Sequence, residues 1–171
     1  MTAQIPLLGA EGYHAFKNQV DRLASRQRLP AWRVTNLLDR YGSMVTDLFE
    51  LCEADPSLLE PLAGAEEYLR VELLYGVTHE GALHLDDLLA RRIRISIETP
   101  DRGTTAATAV AELVGPLLGW DDDRTRNEIA AYSSRVAAER ESQQELDDQE
   151  ANAERLAAPD IRARAVGRAL D

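Results

Sequence analysis

A chain of 171 residues that is 44% hydrophobic and 29% charged has the apolar material for one real core and is short for two domains. Its net charge of -11, from 30 acids against 19 bases, sets it against a phosphate backbone and argues against nucleic acid as a partner. A single cysteine, Cys52, excludes an internal disulfide and gives no metal-site spacing, and no run reaches the roughly 18 uninterrupted apolar residues of a membrane span.

Residues 1–10 (MTAQIPLLGA) have no periodicity and no secretory layout, so they are expected to be a flexible lead-in to a cytoplasmic protein. From Glu11 a first helix is predicted, with Tyr13, Phe16, Val20 and Leu23 on one stripe up to the polar run at 25–28. Pro30 suits the first turn of a second helix, whose inner face is Val34, Leu37 and Leu38. Gly42 is placed to close it and Ser43 to cap a third, which carries Met44, Val45, Leu48, Phe49 and Cys52. Asp55-Pro56 ends that helix, because the residue before a proline is pushed out of helical geometry, and the stretch through Pro61 and Gly64 reads as loop.

Between Tyr68 and Val77 apolar side chains line most of a helix's circumference, which requires packing on several sides. After Gly81 the pattern restarts. Leu85, Leu88, Leu89 and Ile93 share one face of a second core helix, with His84 a weak cap at its start. Asp86 and Asp87 lie early on it and Arg91, Arg92 and Arg94 late, an order the helix dipole favours. Ile95-Ser96-Ile97-Glu98 alternates like a brief strand, and Pro100 to Gly103 make a turn. The segment 104–120 is alanine-rich and broken at Gly115-Pro116. Asp121 is placed to cap a final long helix with Ile129, Tyr132 and Val136 inside, fraying near Gln143. From Glu139 to Glu154 seven acids face one base, so 144–171 is expected to be a disordered or marginally helical tail. Tyr13, Tyr68, Tyr75 and Tyr132 read as core, and Trp32 and Trp120 as packing anchors. The expected fold is all-α, a compact orthogonal multi-helix bundle over 11–143 followed by that acidic tail.

Little of this suggests chemistry. His79, Glu80 and His84 resemble the zinc-protease helix motif, but the histidines are five apart, roughly 140° around a helix, where the motif needs four. The plainer reading is a helix end, with Glu80 hydrogen-bonded to a neighbour. Arg91, Arg92 and Arg94 could grip a phosphate-bearing ligand; pairing with Asp86 and Asp87, or with another domain, is the stronger account. Glu80, Asp86, Asp87, Arg91, Arg92 and Arg94 are therefore candidates for structural or domain-docking ion pairs, with no catalytic, cofactor-binding or metal residue among them. No Gly-x-Gly-x-x-Gly, P-loop, Gly-x-Ser-x-Gly elbow or cysteine pair is present.

The run VELLYGVTHEGALHLDDLLARRIRISIE, residues 71–98, resembles the signature of the C-terminal helical domain of FAD-dependent glycerol-3-phosphate dehydrogenases, especially the actinobacterial form. Supporting matches are GAEGYHAFKNQVDRLA near the start, LLDRYGS at 37–43, DPSLLEPLAGAEEYLR at 55–70 and LLGWDDDRTRNEIAAYSSRVAAERESQ at 117–143. One departure is Ile93, where that pattern usually carries threonine. The resemblance implies a parent that oxidises glycerol 3-phosphate to dihydroxyacetone phosphate on FAD and passes electrons to quinone, or to oxygen in the oxidase branch. It implies that flavin and substrate sit in other domains, so no cofactor is expected in this chain and the chain alone is expected to be inactive. The implied partners are those FAD and substrate domains, with subunit contacts in a homo-oligomer as a second kind. The implied location is cytoplasmic or peripheral at the inner membrane face. The alternative is a free-standing helical protein-interaction module. A small helical enzyme would rest only on His79, Glu80 and the arginines.

Overall fold

The computed structural model describes Ile5 and residues 7–162. The start of the expected lead-in and the end of the expected tail, 163–171, lie outside the described residues. The chain divides into two compact units, one of residues 1–61 with 69–71, the other of residues 62–68 with 72–171.

The first unit is built from α1 (Tyr13–Lys17), α2 (Val20–Gln27), α3 (Ala31–Tyr41) and α4 (Val45–Ala54). α3 packs against each of the other three and buries Val34, Leu37 and Leu38, while α4 buries Val45, Leu48, Phe49 and Cys52. Burial pushes the Cys52 thiol up to about 12, as suits a core-filling side chain. The single first helix expected from Glu11 is instead two. The chain turns at Asn18 and Gln19, whose N–H groups donate to His14 and Phe16 carbonyls, because the polar Lys-Asn-Gln run offers nothing to bury. α1 buries no residue, so Tyr13 is not core; its hydroxyl donates to Asp39 at 2.6 Å on the surface. Trp32 is no packing anchor either. It is 46% exposed and lies 4.5 Å from the Arg33 guanidinium.

Gly42 does close α3, but Ser43 does not cap the next helix. Gly42 has φ 58 and ψ -136, a region kept for glycine, and a Cβ there would sit 2.1 Å from the Gly9 carbonyl oxygen. Two backbones cross at this point, and Ser43 N–H donates to Gly9 O at 2.8 Å within a 3₁₀ turn, Gly42–Met44. α4 ends at Ala54, before Asp55-Pro56, and Asp55 accepts Ser57 N–H at 3.0 Å to cap a second 3₁₀ turn, Pro56–Leu59.

The loop expected near Gly64 is a hairpin of two short strands, β1 (Pro61–Leu62) and β2 (Ala65–Leu69). Arg70 N–H still donates back to Glu60 O at 3.1 Å, so the core helix α5 (Arg70–Thr78) begins later than its apolar pattern does. Tyr68 and Leu69 are buried from a strand, not from a helix.

In the second unit the second core helix is mostly a π-helix, Asp87–Arg92, in which Ile93 N–H donates to Leu88 O five residues back at 2.9 Å. The wider turn lets Leu88, Leu89 and Ile93 all reach the interior, at no more than 1% exposure. It lies so near α5 that a Cβ on Gly76 would meet Leu88 at 2.7 Å. The alternating stretch after it is one helical turn, α6 (Ile95–Glu98), in place of the brief strand expected there. α7 (Ala107–Val114) stops at Gly115-Pro116, and α8 (Asp122–Ser142) is capped by Asp121, which accepts Arg124 N–H at 2.7 Å. Tyr132 and Val136 of α8 join the core made by the π-helix, α7 and the hairpin, with Trp120 packed against it. Within the acidic stretch, α9 (Asp148–Ala157) is capped by Asp147, packs on α8 and buries Ala151, and Ile161 is buried beyond it. Among the described residues no helix is long and apolar enough to cross a membrane.

Candidate functional site

The polar centre of the second unit begins with Glu128. It precedes Tyr132 and Val136 by four and eight residues on α8, so the helix that carries those side chains inward carries its carboxylate with them, to 1% exposure. There it accepts Leu85 N–H at 3.1 Å and the Arg124 guanidinium at 2.6 Å, and lies 2.8 Å from His84 Nδ1. Leu85 N–H is one of the donors that a helix start leaves without an internal partner, so an acid from a distant helix completes the turn. Asp87 does the same for Leu83 and His84, accepting both N–H groups at 3.2 Å. His84 is therefore not the cap; the two acids are.

Asp86, also buried, faces the other way. It receives Arg91 at 3.2 Å, Arg162 at 2.9 Å and Arg135 of α8. Asp87 takes Arg162 as well, at 2.6 Å. Arg135 reaches on to Glu139 at 2.7 Å, which Arg102 also holds at 2.8 Å. Burial pushes the Asp87 carboxyl upward, yet the Arg162 guanidinium and the Leu83 N–H outweigh it and hold the group below its ordinary range. Asp86, Asp87 and Arg91 thus meet in one network.

Glu80, Arg92 and Arg94 lie outside it. Among the described residues Arg94 pairs only with Glu98, at 3.7 Å. Burial raises the Glu80 carboxyl, with Arg92 and His79 opposing, and its Oε2 is buried without a hydrogen-bond partner among the described residues, contrary to the bond expected for it. His79 stacks on Tyr75 at 4.4 Å and lies 2.7 Å from Thr78 Oγ1, so the two histidines serve different neighbours. Among the described residues no group of three or more His, Cys, Asp or Glu side chains is placed to hold a metal ion.

Sequence reasoning missed Glu128, Arg135, Glu139 and Arg162. Only Glu128 left a readable trace, an acid four residues before a stripe tyrosine. The rest become neighbours of Asp86 only through packing of α8 and α9.

A dinucleotide does not fit these residues. Among the described residues the sheet is a two-stranded hairpin, and β2 runs into α5 at Leu69-Arg70 without the glycine-rich turn that lets a backbone approach a pyrophosphate.

The sequence pattern of the C-terminal domain of alpha-glycerophosphate oxidase matches residues 1–125. The chain belongs to this family. It is 48% identical to "Glycerol-3-phosphate dehydrogenase 2" of Mycobacterium tuberculosis over 95% of this chain and 28% of the relative. It is 47% identical to the Mycobacterium leprae "Glycerol-3-phosphate dehydrogenase" over 97% of this chain and 28% of that one. A Dictyostelium discoideum relative, "Probable glycerol-3-phosphate dehydrogenase, mitochondrial", is 29% identical over 75% of this chain and 20% of its own length. The chain therefore spans 28% of the length of these two mycobacterial relatives, and it is the C-terminal helical domain they share. No solved structure matches it.

Proposed function

We propose that this chain serves as the C-terminal cap of an FAD-dependent glycerol-3-phosphate dehydrogenase, docking on flavin and substrate domains that oxidise sn-glycerol 3-phosphate to dihydroxyacetone phosphate and pass electrons to quinone. The observation that carries this reading is the 48% identity over 95% of the chain against 28% of the relative. Nearly all of this chain corresponds to a small part of a much larger dehydrogenase.

The polar centre supports a structural role for the domain. Its buried carboxylates are used as acceptors by backbone N–H groups and arginines, and the one thiol is held protonated at neutral pH by burial. In this reading Asp86, Asp87 and Arg91 shape the unit, while Glu80, Arg92 and Arg94 are the candidate docking residues. Peripheral location at the inner membrane face follows from the parent's quinone partner.

The test is co-expression of this chain with the remainder of the mycobacterial relative, the catalytic part that its match leaves uncovered. The expected result is a single complex on size exclusion that carries flavin and oxidises glycerol 3-phosphate, while this chain alone purifies without flavin absorbance. Flavin retained by the chain alone, or failure of the two parts to co-elute, overturns the proposal.

A further inference from the structure

Ile5, Leu7 and Leu8 are 70%, 82% and 87% exposed, three large aliphatic side chains close together in the first unit. A lead-in that served only as a linker would be polar and free of its neighbours. This one is anchored. Gly9 has φ 83, its carbonyl oxygen accepts Ser43 N–H at 2.8 Å, and a Cβ on it would sit 2.5 Å from the Tyr41 carbonyl oxygen, so the segment carrying the two leucines is pinned to the end of α3. Ala10 N–H donates to Leu7 O at 3.0 Å and Tyr13 N–H to Ala10 O at 3.3 Å, which joins the segment to α1, a helix that buries none of its residues although it carries Tyr13 and Phe16. The first unit thus holds out apolar side chains on fixed backbone.

What covers them follows from the relatives. The family pattern spans the lead-in, which is therefore part of the domain. The domain is C-terminal, and this chain spans 28% of the two mycobacterial relatives described above, so in them the larger part of the polypeptide arrives through this end. We propose, on the docking reading above, that Ile5, Leu7 and Leu8, flanked by α1, form the apolar foot on which this domain rests against the flavin-bearing part of the dehydrogenase; that reading named charged residues and leaves the apolar part of the contact open. Side chains beside a covalent junction meet the preceding domain at high effective concentration, and groups already fixed in place lose little freedom when a complementary surface covers them. The surface that fits is an apolar hollow with charge only at its rim.

The experiment is the co-expression described above, with a tag on the catalytic part of the Mycobacterium tuberculosis relative and the triple change Ile5→Ser, Leu7→Ser, Leu8→Ser in this chain. Recovery of this chain on the tagged, flavin-bearing part should fall about tenfold or more, with its melting temperature unchanged because the replaced side chains are exposed. Leu8→Asp alone should give a loss in the same direction, and Leu146→Ser, at a fully exposed leucine of the second unit, should be recovered as the parent is. Recovery of the triple variant equal to that of the parent, or an equal loss in Leu146→Ser, overturns the foot and leaves the docking reading standing. No recovery of the parent chain overturns both. A dimer of this chain alone on size exclusion, or its binding to anionic phospholipid vesicles, abolished by the triple change, assigns the patch to a second copy or to a membrane surface and overturns the occupant named here.

Discussion

Glu128 is the side chain whose removal should be felt most. It is 1% exposed and satisfies one backbone N–H and one guanidinium, so Glu128→Ala leaves the Leu85 donor and Arg124 without their acceptor. A loss of about 3 kcal/mol in urea unfolding is expected, and Glu128→Gln, which keeps an acceptor oxygen, should lose less. Glu80 is the opposite case, a carboxyl raised by burial. Below its unfolded pKa, about 4.3, the group is neutral in both states and costs nothing. As pH rises through the higher folded value the buried form must ionise, and stability falls to a fixed penalty above it. Glu80→Gln should therefore raise the melting temperature at pH 7. The gain, a few tenths to about 1 kcal/mol after solvent screening, should vanish below about pH 4. A gain that persists at low pH would assign the effect to packing.

Among the elements, the helix limits that depend on local chemistry were legible and those that depend on pairing were not. The break at Gly115-Pro116, the stop before Pro56 and the start after Asp121 are set by residues acting on their own backbone. Asp121→Ala should accordingly cost about 1 kcal/mol, read by thermal unfolding at neutral pH, because the Arg124 N–H then loses its acceptor. The hairpin at β1 and β2 was not legible. Five residues ending in Tyr68 and Leu69 carry the same apolar signal in a strand as in a helix, and only the pairing of Arg70 with Glu60 decides between them. The π-helix escaped notice for a related reason: its leucines keep three-and-four spacing, and the extra residue per turn appears only when Ile93 bonds back to Leu88. α1 ended early because a stripe of apolar residues says nothing about whether a neighbour exists to cover it.

For the whole molecule, the all-α class, the buried leucines of the second core helix and the resemblance to a dehydrogenase's C-terminal domain were available from the chain alone. Apolar periodicity and local capping act over a turn or two, and a residue pattern shared with relatives needs no coordinates. What needed the tertiary structure was the assembly of charge. Asp86 and Arg162 are 76 residues apart, and Glu128 and Leu85 are 43 apart. No spacing rule reaches that far, since such partners meet only after α8 and α9 have packed and loop closure has brought them together. Whether an arginine is paired with one acid or shared between two is a property of that packing.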